Sequence, residues 1–209
     1  AREATELTAQ LALTENELRT ARGSEALARA DHIVVAQEQQ HRIVLSRVVA
    51  VGALGPSGPE RLTLDVGSDN GVAVDQTVVA AAGLVGRTIR VGDTTSDVLL
   101  LGAPDLVVAA RGQNSGLLGT VAPPAAGETS TRTQGQLTFT AIDFGDLVQG
   151  ETLRTVGSPD NTPFVAGIPI GTISVIDPAR GQVGTTAAVI PSIDRARLDV
   201  VAVIVPGAG

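Results

Sequence analysis

The feature that most constrains the fold of this chain is an internal repeat. The segments Gly71–Val74 and Ala82–Val91 recur, in the same order, as Gly145–Val148 and Ala166–Val175. The second copy is longer between its two segments, and the turn-rich stretch 157–163 accounts for the extra residues, because loops accept insertions at low cost. The sequence therefore predicts two related modules of about 70–90 residues each.

A weaker third segment extends the repeat. Asp105–Val108 follows the first copy, and Leu198–Val201 follows the second. Both modules are rich in Val and Ile and contain many of the 24 Gly and 11 Pro, whereas the chain has three Phe and no Trp, Tyr or Met. Such a composition is typical of short strands joined by turns rather than of a helical bundle.

Charge and cysteine content exclude several classes of function. The net charge is −7, and all 15 basic residues are Arg, so the composition argues against a basic face for nucleic acid. The chain has no Cys, which excludes disulfides and zinc–thiolate sites. No run reaches the roughly 20 apolar residues of a membrane span, so we expect any membrane anchor to lie upstream of residue 1.

The N-terminal 22 residues predict a helix with an apolar stripe. Small and apolar residues alternate at spacings of three and four along it: Ala4, Leu7, Leu11, Thr14, Leu18 and Ala21. We expect Leu7, Leu11 and Leu18 to pair this helix with a second helix in a coiled coil. A single amphipathic helix packed on its own barrel is the alternative that the sequence leaves open.

Between this helix and the first strand, Gly23-Ser24 predicts a break or cap, followed by a second helix to about Arg42. The helical segment is thus expected over 1–42. From Ile43 onward the apolar period changes to two, which indicates strands.

We predict a mainly β fold, with the N-terminal helix followed by two small six-stranded β-barrels. The predicted domains span 43–112 and 113–206, and the final strand is free to return to the first barrel. The polar stretch 119–135 is predicted to be an exposed loop.

The side chains available for catalysis are few. His32 and His41 precede the first barrel without a partner at metal-ligand spacing, so we expect both to be solvated helix residues. The stretch Gly112–Gly116 contains Ser115 and is similar to the nucleophile turn of two-barrel serine proteases. A nucleophilic Ser needs a general base against it, and we expect a plain turn here. No catalytic residue, metal ligand or cofactor is predicted.

Two glycine-bracketed segments look superficially like phosphate loops. Neither is followed by a helix-forming run or by the Lys of a P-loop. Glycine within a strand more often marks a bulge or tight corner that lets a small sheet close. Gly83, Gly86, Gly167 and Gly171 are therefore predicted to be structural corners of the barrels.

The order of these motifs resembles the rod shape-determining MreC family over nearly the whole chain. The motifs that carry the resemblance are Asp65–Val72, Val78–Arg87, Ser96–Leu100, Ser115–Gly119, Gly150–Gly157 and Pro163–Gly171. Glu151 stands where the family usually has Asp, and Val156 where it has Ser.

The resemblance implies two barrels on a dimerising helix, in the extracytoplasmic part of a single-pass cell-membrane protein. It implies a scaffold of the cell-wall elongation machinery that catalyses no reaction. The partners it implies are MreD, MreB, RodA and class B penicillin-binding proteins, together with homodimers or longer assemblies of the chain itself.

Two other classes of protein are weighed against this interpretation. Periplasmic adaptors of export systems also join a coiled coil to small β domains, but their helices form a hairpin inserted between two halves of a β domain. A degenerate two-barrel hydrolase is the second, and it predicts that Ser115 reacts with a serine-directed probe.

Overall fold

The helical segment forms two helices, as the computed structural model shows. The structure describes residues 2–38, 41–52, 54–55, 58–125, 132–143, 145–178 and 184–206. Helix α1 spans Arg2–Ala28 and helix α2 spans Asp31–Glu38. The predicted break at Gly23-Ser24 is wrong: the helix continues, and a Cβ at Gly23 would lie only 3.2 Å from Val200. The glycine lets the helix approach the barrel instead of ending it.

Fourteen strands follow in the described residues. In chain order they are β1 Arg42–Val51, β2 Leu54–Gly55, β3 Gly58–Pro59, β4 Arg61–Leu64, β5 Thr77–Ala80, β6 Gly83–Val91, β7 Ser96–Leu100, β8 Val108–Gly112, β9 Leu118–Ala122, β10 Leu137–Ala141, β11 Thr152–Thr155, β12 Pro169–Ile176, β13 Thr186–Pro191 and β14 Val200–Val205. Strand β9 occupies part of the stretch 119–135, so that prediction of a loop is wrong for 119–122, and 126–131 lie outside the described residues.

The strands form two closed, antiparallel, six-stranded barrels, which confirms the predicted fold class. The first barrel has the ring order β1-β14-β5-β6-β7-β4, and the second has β9-β8-β11-β12-β13-β10. Written this way, the two rings match strand for strand. The repeat seen in the sequence is therefore a repeat of barrel architecture.

The final strand of each module lies in the other module's barrel. Strand β8 follows the first repeat but pairs with β9 and β11, whereas β14 follows the second repeat but pairs with β1 and β5. The predicted division at residue 112 is corrected accordingly, because it assigned β8 to the first barrel. The return of β14 to the first barrel is the possibility that the sequence left open.

This exchange places both faces of β14 in apolar surroundings. Val201, Val203 and Val205 belong to the core of the first barrel. Ala202 and Ile204 point the other way, into a second cluster that contains the interior of the second barrel and residues of both helices. One apolar cluster thus joins the second barrel, the outside of the first barrel and the base of the helical segment.

A buried threonine links the two barrels by hydrogen bonds. Thr77 in β5 is fully buried, and its hydroxyl donates to the Pro163 carbonyl at 2.9 Å and accepts from the Val165 amide at 2.9 Å. Pro163 and Val165 lie in the long connection between β11 and β12. The first barrel has only Ala81-Ala82 at the equivalent place, so the insertion in the second repeat provides this contact between the barrels.

Candidate interaction surfaces

In α1, the barrels leave the side chains of residues 5–19 uncovered. Every residue from 5 to 19 is exposed. Leu7, Leu11 and Leu18 have exposed fractions of 56%, 60% and 49%. An isolated helix of this length is marginal in water, because most helix stability comes from packing an apolar face.

The leucine stripe and the barrel-facing side of α1 lie on opposite sides of the helix. At 3.6 residues per turn, Leu7 and Leu11 lie within about 20° of Leu18, whereas Leu27 lies about 180° away. Leu27 is fully buried, and the flanking residues Thr20, Gly23 and Ser24 are partly buried. The stripe therefore points away from the body of its own chain.

Helix α2 anchors the helical segment beside both barrels. Ile33 and Ala36 are buried in the joint apolar cluster. His32 is also buried, and its Nε2 lies 2.9 Å from the Ala80 carbonyl of β5. Burial lowers the pKa of His32, with a smaller lowering contribution from the Arg154 charge on the second barrel. The expectation of two solvated helix histidines is wrong, and His41 lies just before β1 with a buried Nε2.

The turn around Ser115 is organised by a carboxylate that sequence reasoning missed. Glu151 is buried, and its Oε2 accepts from the Ser115 hydroxyl at 3.1 Å and from the amides of Asn114 and Ser115 at 3.0 Å. Its Oε1 accepts from the Val148 amide. Burial favours a higher pKa of Glu151, but these donors outweigh it and hold the pKa below its ordinary value.

This geometry gives Ser115 a structural partner rather than a base of the triad type. The Ser115 hydroxyl oxygen also accepts a hydrogen bond from the Leu117 amide at 3.3 Å. Among the described residues, the Ser115 hydroxyl bonds to Glu151 and Leu117 and to no histidine. The arrangement stabilises the tight turn between β8 and β9.

Of the four predicted corner glycines, Gly83 and Gly86 lie in β6, Gly171 lies in β12, and Gly167 lies two residues before β12. Val85 is an extra residue in β6, since Val78 pairs with Gly86 and Val79 with Leu84. Strand β12 has an equivalent register shift, with Gly171 following the extra residue Ile170.

Close backbone approach explains why glycine is needed there. A Cβ at Gly86 would overlap the Leu99 carbonyl oxygen, and one at Gly171 would overlap that of Ile190. Gly83 has a φ of +147° and faces the Pro169 carbonyl of the other barrel, and Gly167 has a φ of +83°.

The described residues offer neither a metal-binding cluster nor a membrane-spanning helix. No group of three or more His, Cys, Asp or Glu side chains in them could hold a metal ion. None of their helices combines the length and apolarity required to cross a bilayer.

The fold and its surfaces define a class of protein in which a helix with an uncovered apolar stripe is fixed to two interlocked β-barrels. The family described as rod shape-determining protein MreC, barrel core, matches residues 56–205. The chain therefore belongs to the MreC family. No curated protein matches it.

Solved structures share the fold. A structure of MreC is 23% identical, with a TM-score of 0.72, over 92% of this chain and 99% of its own. MreC from Pseudomonas aeruginosa is 24% identical, with a TM-score of 0.65, over 78% of this chain and 98% of its own. A chain from a complex between penicillin-binding protein PBP2 and MreC of Helicobacter pylori is 13% identical, with a TM-score of 0.56, over 78% of this chain and 99% of its own.

Proposed function

We propose that this protein is a non-catalytic, extracytoplasmic scaffold of the bacterial cell-wall elongation complex, held at the cell membrane by a single-pass anchor. It controls cell shape by self-association and by binding enzymes of peptidoglycan synthesis. Membership of a shape-determining family supports this role. The observation that carries self-association is the exposed leucine stripe on the side of α1 opposite the barrels.

The stripe favours pairing in trans over packing in cis. Leu7, Leu11 and Leu18 cannot reach the chain's own barrels without rotating the helix by about half a turn. That rotation would expose Leu27, which is fully buried. Burying a leucine contributes about 1.5–3 kcal/mol, so a second helix against the stripe stabilises both copies.

Sedimentation analysis over a range of concentrations tests this proposal. We expect the wild-type chain to form a dimer and Leu11→Asp/Leu18→Asp to be a monomer. Leu13→Asp is a matched control, because Leu13 is 65% exposed but lies off the stripe, and it is expected to remain a dimer. A wild-type monomer at all concentrations would contradict pairing through this stripe.

The enzyme partner that we propose is a class B penicillin-binding protein. The fold shared with MreC of Helicobacter pylori, which is named in a complex with PBP2, supports this choice. MreD, MreB and RodA are proposed as further partners on family membership. Surface plasmon resonance with the extracytoplasmic domain of a class B penicillin-binding protein from the same organism tests the first partner, and absence of saturable binding would contradict it.

The absence of catalysis is tested at Ser115. We expect no labelling by a fluorophosphonate probe, because the hydroxyl donates to the Glu151 carboxylate, whose lowered pKa makes it a weak base, and not to a histidine. Labelling that is lost in Ser115→Ala would contradict a purely structural role. Family membership favours this scaffold over an export adaptor.

A further inference from the structure

Two arginines lie side by side on the outside of the second barrel. Arg111 in β8 pairs in register with Arg154 in β11. Residues directly opposite each other on antiparallel strands have Cβ atoms about 4.5–5.5 Å apart, and like charges there are destabilising. In the part of the chain that the structure describes, neither guanidinium has a carboxylate within ion-pair distance.

Acidic side chains are nonetheless abundant in this chain. It carries 22 acidic residues against 15 arginines. Other exposed arginines, such as Arg29 with Glu25 and Arg47 with Asp65, do form ion pairs. The chain itself therefore leaves the charge of this arginine pair uncompensated, and the pair can attract an anion from outside the chain.

The surroundings of the pair form a groove. A cavity of about 310 Å³ is lined by Arg111, Gln113, Gly116, Arg154, Val156 and Gly167, among others. The Arg154 side chain is held in place, because its Nε donates to Gln113 Oε1 at 2.9 Å and its Nη1 donates to the Gly167 carbonyl at 2.8 Å. Its Nη2 and the whole Arg111 guanidinium are left for a ligand.

The donor set fits a carboxylate better than a phosphate. Protein phosphate sites rely on backbone N–H groups, but here the Gly167 amide donates to the Thr155 carbonyl and the Gly116 amide to the Gly112 carbonyl. Guanidinium groups bind the oxygens of either a carboxylate or a phosphate, so it is the lack of free backbone amides that favours the carboxylate. Val156 lies two residues after Arg154, on the same face of the strand, and it is exposed.

We propose that the groove between β8 and β11 binds an acidic peptide segment of a partner protein. A carboxylate of the segment binds Arg111 and Arg154, and an adjacent apolar residue packs against Val156. The site is independent of helix pairing and of which enzyme the scaffold binds.

Fluorescence anisotropy with a labelled peptide of alternating Glu and Val tests the proposal. We expect saturable binding at moderate salt, and binding at least tenfold weaker for the peptide with Gln in place of Glu. Arg111→Gln/Arg154→Gln should weaken binding by at least tenfold. Arg29→Gln/Arg90→Gln makes the same change in net charge on exposed, ion-paired arginines, and should change affinity less than twofold.

Several outcomes would overturn the proposal. An equal loss of peptide affinity in both double variants would mean that binding depends only on the net charge of the protein. Displacement of the peptide by inorganic phosphate at equal concentration would mean a general anion site. A lower sedimentation mass for Arg111→Gln/Arg154→Gln, without peptide binding to the wild type, would identify a second copy of this chain as the occupant.

Thermal unfolding separates a binding role from a structural one. Because Arg111 makes no ion pair and faces a like charge, Arg111→Gln should leave the melting temperature unchanged or raise it. A fall of several degrees would show that the side chain stabilises the barrel and would overturn the proposal. Leu11→Asp/Leu18→Asp should not alter peptide affinity, so failure of helix pairing and failure of this site are distinguishable.

Discussion

The molecule has two regions that differ in whether their side chains are covered by the chain itself. We call residues 5–19 of α1 the stalk, and both barrels with the base of the helices the body. The body buries its apolar clusters within the chain, and strands are exchanged between its barrels. The stalk is exposed along its whole length. The difference teaches that the body is stabilised by contacts within its own chain, whereas the stalk leaves an apolar stripe that we propose is covered by a second copy.

The largest expected difference in thermal stability is between a chain shortened at its C-terminus and one shortened at its N-terminus. Ending the chain after Asp199 removes β14, which pairs with two strands and contributes buried residues to both apolar clusters. We expect loss of cooperative unfolding, because several buried side chains at about 1.5–3 kcal/mol each approach the 5–15 kcal/mol stability of a typical domain. Starting the chain at Thr20 removes more residues, but should leave the melting temperature within a few degrees.

Circular dichroism during heating measures both truncations. A cooperative transition that survives the loss of β14 would contradict the reciprocal strand exchange. A large fall in melting temperature on removing the stalk would contradict the division into stalk and body.

A second prediction concerns the corners of the two barrels. Gly86→Ala and Gly171→Ala each place a Cβ against a carbonyl of the neighbouring strand, and each should destabilise by about 1–3 kcal/mol or more. Gly92→Ala is the control, since its Cβ would lie 3.6 Å from the nearest atom. Urea unfolding measures the stability of all three variants. An unchanged free energy of unfolding for Gly86→Ala would show that β6 does not need glycine at its close contact with β7.

A third prediction concerns the contact between the barrels. Thr77→Val keeps the side-chain shape but leaves the Val165 amide and the Pro163 carbonyl without the hydroxyl. We expect a loss of about 1–3 kcal/mol. Thr63→Val removes a hydroxyl that bonds only within the first barrel, to partly exposed Asp97, and should cost less. Equal losses by urea unfolding would argue against a special role for the link between barrels.

The sequence predicted those parts of the fold that leave a periodic pattern of residues. Alternating apolar residues and repeated glycines predicted two small barrels and their bends. They could not predict the exchange of β8 and β14, because an apolar strand fits either barrel. Only hydrogen bonding to neighbouring strands in the folded protein determines which barrel it joins.

The site residues show the same limit. The stripe of Leu7, Leu11 and Leu18 was visible as a spacing, although pairing through it stays a prediction. Glu151 was missed because its partners are mostly backbone amides, which leave no sequence signal. The pairing of Arg111 with Arg154 depends on strand register, and His32 was misjudged because α2 has irregular apolar spacing.

The smallest predicted effect is the pH dependence of the body. The lowered pKa of His32 means that the unfolded chain binds a proton at this side chain more readily than the folded chain. The contribution of neutral His32 to the free energy of unfolding is therefore present above about pH 6.5 and is lost as the pH falls below that value. The lowered pKa of Glu151 adds stability above about pH 4, which is lost on further acidification. Urea unfolding between pH 8 and 3.5 should show both steps.

Matched variants assign the two steps. His32→Gln should remove the dependence near pH 6, and Glu151→Gln the dependence near pH 4. A stability that does not change between pH 8 and 5 in the wild type would contradict the burial of His32 as a neutral group.

Disulfide cross-linking tests the central claim most directly, because the chain has no cysteine of its own. A disulfide forms only between closely apposed side chains, so Leu11→Cys should give a covalent dimer on mild oxidation when two stripes face each other. Leu13→Cys, equally exposed but off the stripe, should remain monomeric. Equal cross-linking of both variants, or of neither, would contradict a scaffold that pairs through the stalk.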